Sequence, residues 1–195
     1  MLTFKYWVMN SWKTTNLLET LNFYEEKWFW TYLMKPEIDT KWNNEVVSRM
    51  WISRKVDYLI KKEDDLFWHI VEKFWYNNLP EIILIDEVQF LTKEHIHQLI
   101  WISHLLWVKV VCYWLRTDFK LKPFEASMYL LSLADDIEEI KTICWCWQKA
   151  VVNVRYRNWI LETDWNQIEI DDKDNIQYNS ICHNCYLELI WKNIS

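Results

Sequence analysis

The 195-residue chain contains no glycine. At the usual usage of about 7%, a chain this long carries roughly 14, and tight turns, helix ends and ligand-hugging loops depend on them. Long apolar runs are missing too: none approaches the roughly 20 residues of a membrane span. Met1-Leu2-Thr3-Phe4-Lys5 has none of the features of a secretory leader, so the chain is expected to be cytoplasmic with no membrane partner. There is no excess of positive charge. The formal net charge is −6, which argues against a general nucleic-acid binder, since phosphate contacts need clustered Lys and Arg. No long internal repeat and no low-complexity segment is evident. Apolar residues make up 51% and charged residues 26%, a globular composition with ample length for a core.

In place of glycine there is tryptophan, sixteen of them, an excess close to the glycine deficit. Their positions are informative. Asn158-Trp159 and Asp164-Trp165 lie between alternating apolar stretches, where Asn-Gly and Asp-Gly are the strongest hairpin signals. Trp28 follows Glu25-Glu26-Lys27 at the end of a helical pattern, the place for a helix-terminating glycine. Many of these tryptophans therefore read as stand-ins for glycine in the natural molecule, for example through UGA translated as tryptophan where the codon means glycine. UGG codons at positions 7, 12, 28, 114 and 159 would end that reading and leave a genuinely tryptophan-rich chain.

In chain order, Leu2 to Tyr6 reads as a buried strand feeding residues 7–14, Trp-Val-Met-Asn-Ser-Trp-Lys-Thr. This is the register of a phosphate-binding loop, G-x-x-x-x-G-K-[ST], with Trp7 and Trp12 at both glycine positions and Lys13-Thr14 in place. Leu17, Leu18, Leu21 and Tyr24 then recur at helical spacing. Thr31 to Met34 is a second strand. Glu37 to Arg54 is polar and is expected to be a mobile loop or insertion, with Trp42 and Trp51 at turns. Asp64 to Asn77 resembles an amphipathic helix. Glu81 to Ile85 is a continuous apolar run, the mark of a central parallel strand, and it delivers Asp86-Glu87-Val88-Gln89-Phe90 to the end where such sheets bind ligands. Thr92 caps a helix to about Trp107; strand Val108 to Tyr113, a loop through Phe119 and a helix from Glu125 to Ala134 follow. The repeating strand–helix pattern indicates an α/β fold, a P-loop NTPase-like, mostly parallel sheet flanked by helices, over residues 1–139. Residues 140–195 change to short strands and turn signals, a small zinc-ribbon-like β domain.

Two constellations carry chemistry. Lys13, Thr14, Asp86 and Glu87 supply an ammonium for phosphates, a hydroxyl and a carboxylate for Mg²⁺, and a group to deprotonate a nucleophile. Each pair alone is weak; in this order after two apolar strands they outweigh a solvated lysine and an N-cap threonine. Cys144, Cys146, Cys182 and Cys185 form two close pairs suited to a four-thiolate zinc site, against disulfides or four unrelated thiols. His183 is a bystander and Cys112 a core thiol. His69, His95, His97 and His104 are assigned no role. Phe90, Phe119 and Phe124 follow strand ends, where a planar base could stack.

With those residues in view, the sequence resembles the zinc-containing, P-loop type of thymidine kinase over nearly its whole length. The matching stretches are residues 7–14, Glu37-Ile38-Asp39, residues 46–53, Asp86 to Leu91, Cys112 to Phe119, Ile140 to Ala150 and Tyr178 to Cys185. In that family glycine stands at the positions of Trp7, Trp12, Trp51, Trp114 and Trp147, while Trp145 falls where the family varies. The resemblance implies transfer of the γ-phosphoryl of ATP to the 5′-hydroxyl of thymidine. It implies that Trp7, Val8, Met9, Asn10, Ser11, Trp12, Lys13 and Thr14 wrap the ATP phosphates, with Asp86, Glu87, Val88 and Gln89 in the same nucleotide-binding stretch. Glu87 matches the general base; Thr14 and Asp86 match the Mg²⁺ site. Met9, Asp39, Phe90, Leu115, Phe119, Phe124 and Tyr178 match the thymidine side, Tyr178 belonging to a lasso loop that closes from the second domain. The four cysteines match structural zinc ligands, and the resemblance implies a homotetramer. Two departures stand out: Lys41 where the family commonly has Arg, and Asp171-Asp172-Lys173-Asp174 where the lasso often carries Gly-Gly. Two other classes stay open on sequence: a non-catalytic homologue whose phosphate loop is filled by Trp7 and Trp12, and a zinc-bearing binding module.

Overall fold

The apolar run at the N-terminus forms strand β1 (Leu2–Trp7), and the loop after it opens onto helix α1 (Lys13–Glu26). The computed structural model describes residues 1–9, 12–40, 42, 44–48, 50–75, 78–162 and 176–194. Strand β2 (Thr31–Pro36) is followed by β3 (Glu45–Val47), β4 (Ser53–Lys55) and β5 (Tyr58–Ile60). Next come α2 (Leu66–Phe74), β6 (Ile82–Ile85), α3 (Lys93–Leu105), β7 (Lys109–Leu115), α4 (Glu125–Leu133) and β8 (Asp136–Glu139). The chain closes with β9 (Val152–Arg157), β10 (Ile160–Glu162), β11 (Ile176–Ile181) and α5 (His183–Ile194).

Six strands form one sheet in the order β5-β2-β6-β7-β1-β8, and every pairing in it is parallel. The fold is α/β, with the mostly parallel sheet and flanking helices that the sequence indicates. Alternate residues serve the two faces. Ile83 and Ile85 of β6 and Val110 and Cys112 of β7 pack with α2, α3 and α4. Ile82, Leu84, Val111 and Tyr113 pack instead with Leu17, Leu18 and Leu21 of α1. Each fully buried Leu contributes about 1.5–3 kcal/mol through area removed from water, so α1 is pinned to the sheet by its own i, i+1, i+4 stripe. Strand β7 lies between β1 and β6, and the loop at 7–14 and the Asp86-Glu87 turn both leave the C-terminal edge of the sheet. Thr92 caps α3 as expected, accepting from His95 N at 3.3 Å, with His95 Nδ1 returning to Thr92 N.

The polar stretch expected to be a mobile loop is instead a hairpin: β3 pairs antiparallel with β4, turning near Trp51. Strands β5 and β8 add to the two edges of the parallel sheet. Both are short, without the apolar runs that betray central strands. Trp114 and Leu115 extend β7 rather than beginning the loop. The C-terminal part holds a three-stranded antiparallel sheet, β10-β9-β11, and helix α5 where only short strands were expected. Tyr186 and Leu189 of that helix, one turn apart, pack on Val152, Val154 and Ile181.

The backbone bears directly on the tryptophans. Among the described residues ten have positive φ, and seven are Trp28, Trp42, Trp51, Trp75, Trp107, Trp147 and Trp159, at φ 52° to 67°. Left-handed backbone costs an L-residue about 1–2 kcal/mol, and a bulky aromatic there is an outlier. Trp28 ends α1 in a Schellman arrangement: its N–H donates to Glu25 O at 3.0 Å and Phe29 N donates to Tyr24 O at 3.1 Å, which is where glycine belongs. Asn158 and Trp159 both have positive φ and join β9 to β10 with Ile160 opposite Arg157, the two-residue turn that Asn-Gly makes. Trp145 does not have positive φ, nor do Trp7, Trp12 and Trp114. Asp164-Trp165 lies outside the described residues.

Candidate active site and cysteine cluster

Lys13 is the first residue of α1, and Asp86-Glu87 follow directly on β6. Their meeting is a product of the parallel sheet, because both elements leave its C-terminal edge. Lys13 Nζ donates to Glu87 Oε1 and lies 3.9 Å from Asp86 Oδ1. The ammonium also sits 3.2 Å from the centroid of the Trp114 ring at the end of β7. Gln89 Nε2 donates to Glu87 Oε2 at 3.0 Å. Asp86 and Glu87 are buried. Burial drives both carboxyls above their usual range, with Lys13 opposing; for Glu87 the charges of Asp86 and Asp39 add to the rise, which reaches about 8. Glu87 holds φ 55° and ψ 35°, a left-handed conformation that costs a non-glycine residue about 1–3 kcal/mol and clusters at functional sites.

Trp12 at the N-cap of α1 supplies no side-chain cap, and the N-terminus of a helix suits an anion. Trp12 is 65% exposed. Trp7 is buried, its ring 6.0 Å from that of Tyr113 and 6.1 Å from that of Trp114. Asn10, Ser11 and Lys41 lie outside the described residues. Thr14, on the first turn of α1, is partly buried. Among the described residues Asp86 Oδ1 is buried with no hydrogen-bond partner, a lone-pair environment that fits a cation beside it.

Met9 follows β1 and packs against the α1-side core. Leu115 ends β7, and Phe119 and Phe124 are buried in the loop after it, where Thr117 bridges Pro123. Phe90 closes the short 3-10 turn Val88–Phe90. Asp39 accepts from Lys35 Nζ at 3.2 Å. Val88 is not part of the polar cluster: its side chain is buried in the core beneath α3 and α4. Tyr178 lies on β11 opposite Arg155. Asp171 to Asp174, where the resemblance implies a lasso, lie outside the described residues.

Four residues of this neighbourhood escaped the sequence reading. Lys35 is buried at the end of β2; a lysine closing an apolar strand was the available signal. Asn153, Arg155 and Ser180 belong to the small sheet. Strand β9 is buried on both faces: Val152 and Val154 pack with the cysteines, whereas Asn153 contacts Met9 and Thr117 and the Arg155 guanidinium lies 3.9 Å from the Phe119 ring centroid. A strand reading Val-Asn-Val-Arg looks half-exposed, so its polar face gave no warning. The histidines without a role are structural: His69 stacks on Tyr58 at 3.7 Å and His104 pairs with Asp135 at 3.1 Å.

The four cysteines converge. Cys144 and Cys146 come from the turn after β8, Cys182 from the end of β11 and Cys185 from the first turn of α5. Their sulfurs lie within 4.8 Å of one another, and Cys146 Sγ is 3.5 Å from Cys182 Sγ. Four thiolates at Zn–S distances of about 2.3 Å in a tetrahedron stand about 3.8 Å apart, so the cluster could bind a metal such as zinc. His183 is not among the converging groups, and Cys112 is a buried core thiol.

Comparison with known proteins bears on the whole chain. The family model for thymidine kinase matches residues 1–186. A thymidine kinase of Pasteurella multocida is 40% identical over 192 residues, covering 97% of this chain and 97% of the relative. One from Mannheimia succiniciproducens is 40% identical over 184 residues, covering 93% and 92%. One from Francisella tularensis is 34% identical over 196 residues, covering 98% of each. The match spans residues 7–14, the Asp86-Glu87 turn and the cysteine cluster alike, and the chain belongs to the thymidine kinase family.

Proposed function

We propose that this chain transfers the γ-phosphoryl group of ATP to the 5′-hydroxyl of thymidine, the activity named for its relatives. The observation that carries the reading is the convergence of Lys13, Asp86 and Glu87 at the C-terminal edge of the sheet. Residues 7–14 and the N-terminus of α1 receive the phosphates, and Lys13 meets the charge that develops on the transferred group. Nucleotide phosphates compete for that ammonium, so ATP binding releases Glu87 to take the proton of the 5′-hydroxyl. Gln89 holds the Glu87 carboxylate in place. Thr14 and Asp86 would hold Mg²⁺, which when bound neutralises the phosphate oxygens. Met9, Asp39, Phe90, Leu115, Phe119, Phe124 and Tyr178 form the nucleoside side.

The rest of the reading is a kinase unit over residues 1–139 and a zinc-stabilised unit over 140–195, assembled as a homotetramer in the cytoplasm. A non-catalytic reading needs Trp7 and Trp12 to fill the phosphate loop; Trp12 is exposed and Trp7 packs among core aromatics. Glu87→Gln is the decisive variant. It should lower turnover by about 10²–10⁴-fold while ATP and thymidine still bind, measured by titration calorimetry. Unchanged turnover overturns the assignment of the base.

A further inference from the structure

The loops at 7–14 and 116–124 leave neighbouring strands, β1 and β7, which pair as far as Trp7 and Leu115; beyond that pairing the small antiparallel sheet bridges them from outside the parallel sheet. Met9 N donates to Asn153 Oδ1 at 2.7 Å, and Asn153 Nδ2 donates to Thr117 O at 3.2 Å. Both groups of one amide are thus used, one on each loop. Ser180 stands directly opposite Asn153 across the β9–β11 pairing, and its hydroxyl donates to Met9 O. The main chain of Met9 is therefore held on both its N–H and its C=O by a cross-strand pair. Asn153 is only 1% exposed, and Val8, the preceding residue, is buried in the cysteine-side core. An amide buried this deeply, with its acceptor and its donor both engaged, specifies geometry more than it adds net stability.

We propose that Asn153 is a positioning residue that sets the spacing between the phosphate loop at Met9 and the loop 116–124 carrying Phe119 and Phe124, with Ser180 as its partner on the Met9 side. This rests on the functional reading above, because the two loops matter together only if one grips ATP and the other the nucleoside. The small sheet is then more than a metal-stapled appendage. It fixes how far the two half-sites stand apart, and a phosphoryl transfer is sensitive to that distance.

The test uses the whole chain with its metal and separates the two bonds. Asn153→Ala removes both, Asn153→Asp keeps an acceptor for Met9 N but loses the donor to Thr117 O, and Ser180→Ala touches Met9 alone. Hydrogen–deuterium exchange is read on peptides covering Met9 and Thr117. Asn153→Ala should speed exchange in both, by about fivefold, the worth of one net hydrogen bond. Asn153→Asp should do so only around Thr117, and Ser180→Ala only around Met9. In turnover, Asn153→Asp should raise KM for thymidine several-fold with KM for ATP little changed. Equal changes in both peptides for all three variants, or none, overturn the proposal. A parent chain that shows this exchange pattern yet does not phosphorylate thymidine instead overturns the functional reading.

Discussion

Among the described residues seven tryptophans hold left-handed backbone at φ 52° to 67°, and six of these are the most exposed of the large apolar side chains, at 77–94%, with Trp42 at 49%. Trp42 and Trp51 at least pack edge to face on each other, but Trp28 and Trp159, 94% and 81% exposed, bury little while holding backbone that costs about 1–2 kcal/mol. Trp28→Gly and Trp159→Gly should therefore each raise unfolding stability by about 0.5–1 kcal/mol, the strain relieved less the added chain entropy. Trp145→Gly, at a position without positive φ, should lower it. Urea denaturation of the three variants checks the sign; a gain at Trp145, or a loss at Trp28, would sink the glycine reading. The coding DNA offers a second check at these positions. Trp7, Trp12 and Trp114 need another reason for glycine, since their φ angles do not ask for it.

At the scale of elements, α2 and β5 meet through a small polar network. His69 stacks on Tyr58 and lies 3.2 Å from Tyr32 Oη; Lys73 donates to that same hydroxyl and Asp64 accepts from Tyr58. Burial first, then the charge of Lys73, lowers the His69 pKa, against the pull of Asp64 and Glu72. The folded state thus prefers neutral imidazole. Its contribution is fully present above the ordinary value of about 6.5 and is lost as pH falls from there through the lowered folded-state value. The melting temperature should drop over that window, and His69→Phe, which keeps the stack without the proton, should flatten the drop. An unchanged pH dependence in the variant removes His69 as its source. The β9–β10 hairpin makes the complementary point: its register follows from a two-residue turn, and Asn158-Trp159 marked that turn in sequence.

For the whole molecule, the parallel sheet has a large two-faced core, whereas the antiparallel sheet has only a small cluster around Val152, Val154 and Ile181. A core that small calls for a staple, and the four converging sulfurs supply the ligands for one. Metal analysis should find one zinc per chain. Cys182→Ser or a strong chelator should remove it and increase hydrogen exchange in β9 and β11 first, with β1, β6 and β7 still protected. A folded sample with substantially less than one zinc per chain ends the zinc assignment. Because β9 also carries Asn153, zinc loss should loosen the peptide around Met9 as well.

Much of this was legible in the chain itself. The apolar runs at β1 and β6, the helical stripe of α1 and the order of Lys13-Thr14, Asp86-Glu87 and the two cysteine pairs are local patterns, and local periodicity and turn chemistry are what a sequence records. The anomaly in glycine and tryptophan was legible for the same reason, since turn positions are set by neighbouring residues. Tertiary structure decided the rest. It put β7 between β1 and β6, turned Glu87 left-handed to face Lys13, and sent the polar face of β9 inward against Met9 and Phe119. Those outcomes depend on pairing between residues far apart in the chain, where a polar residue in a strand is buried or exposed according to what packs on it.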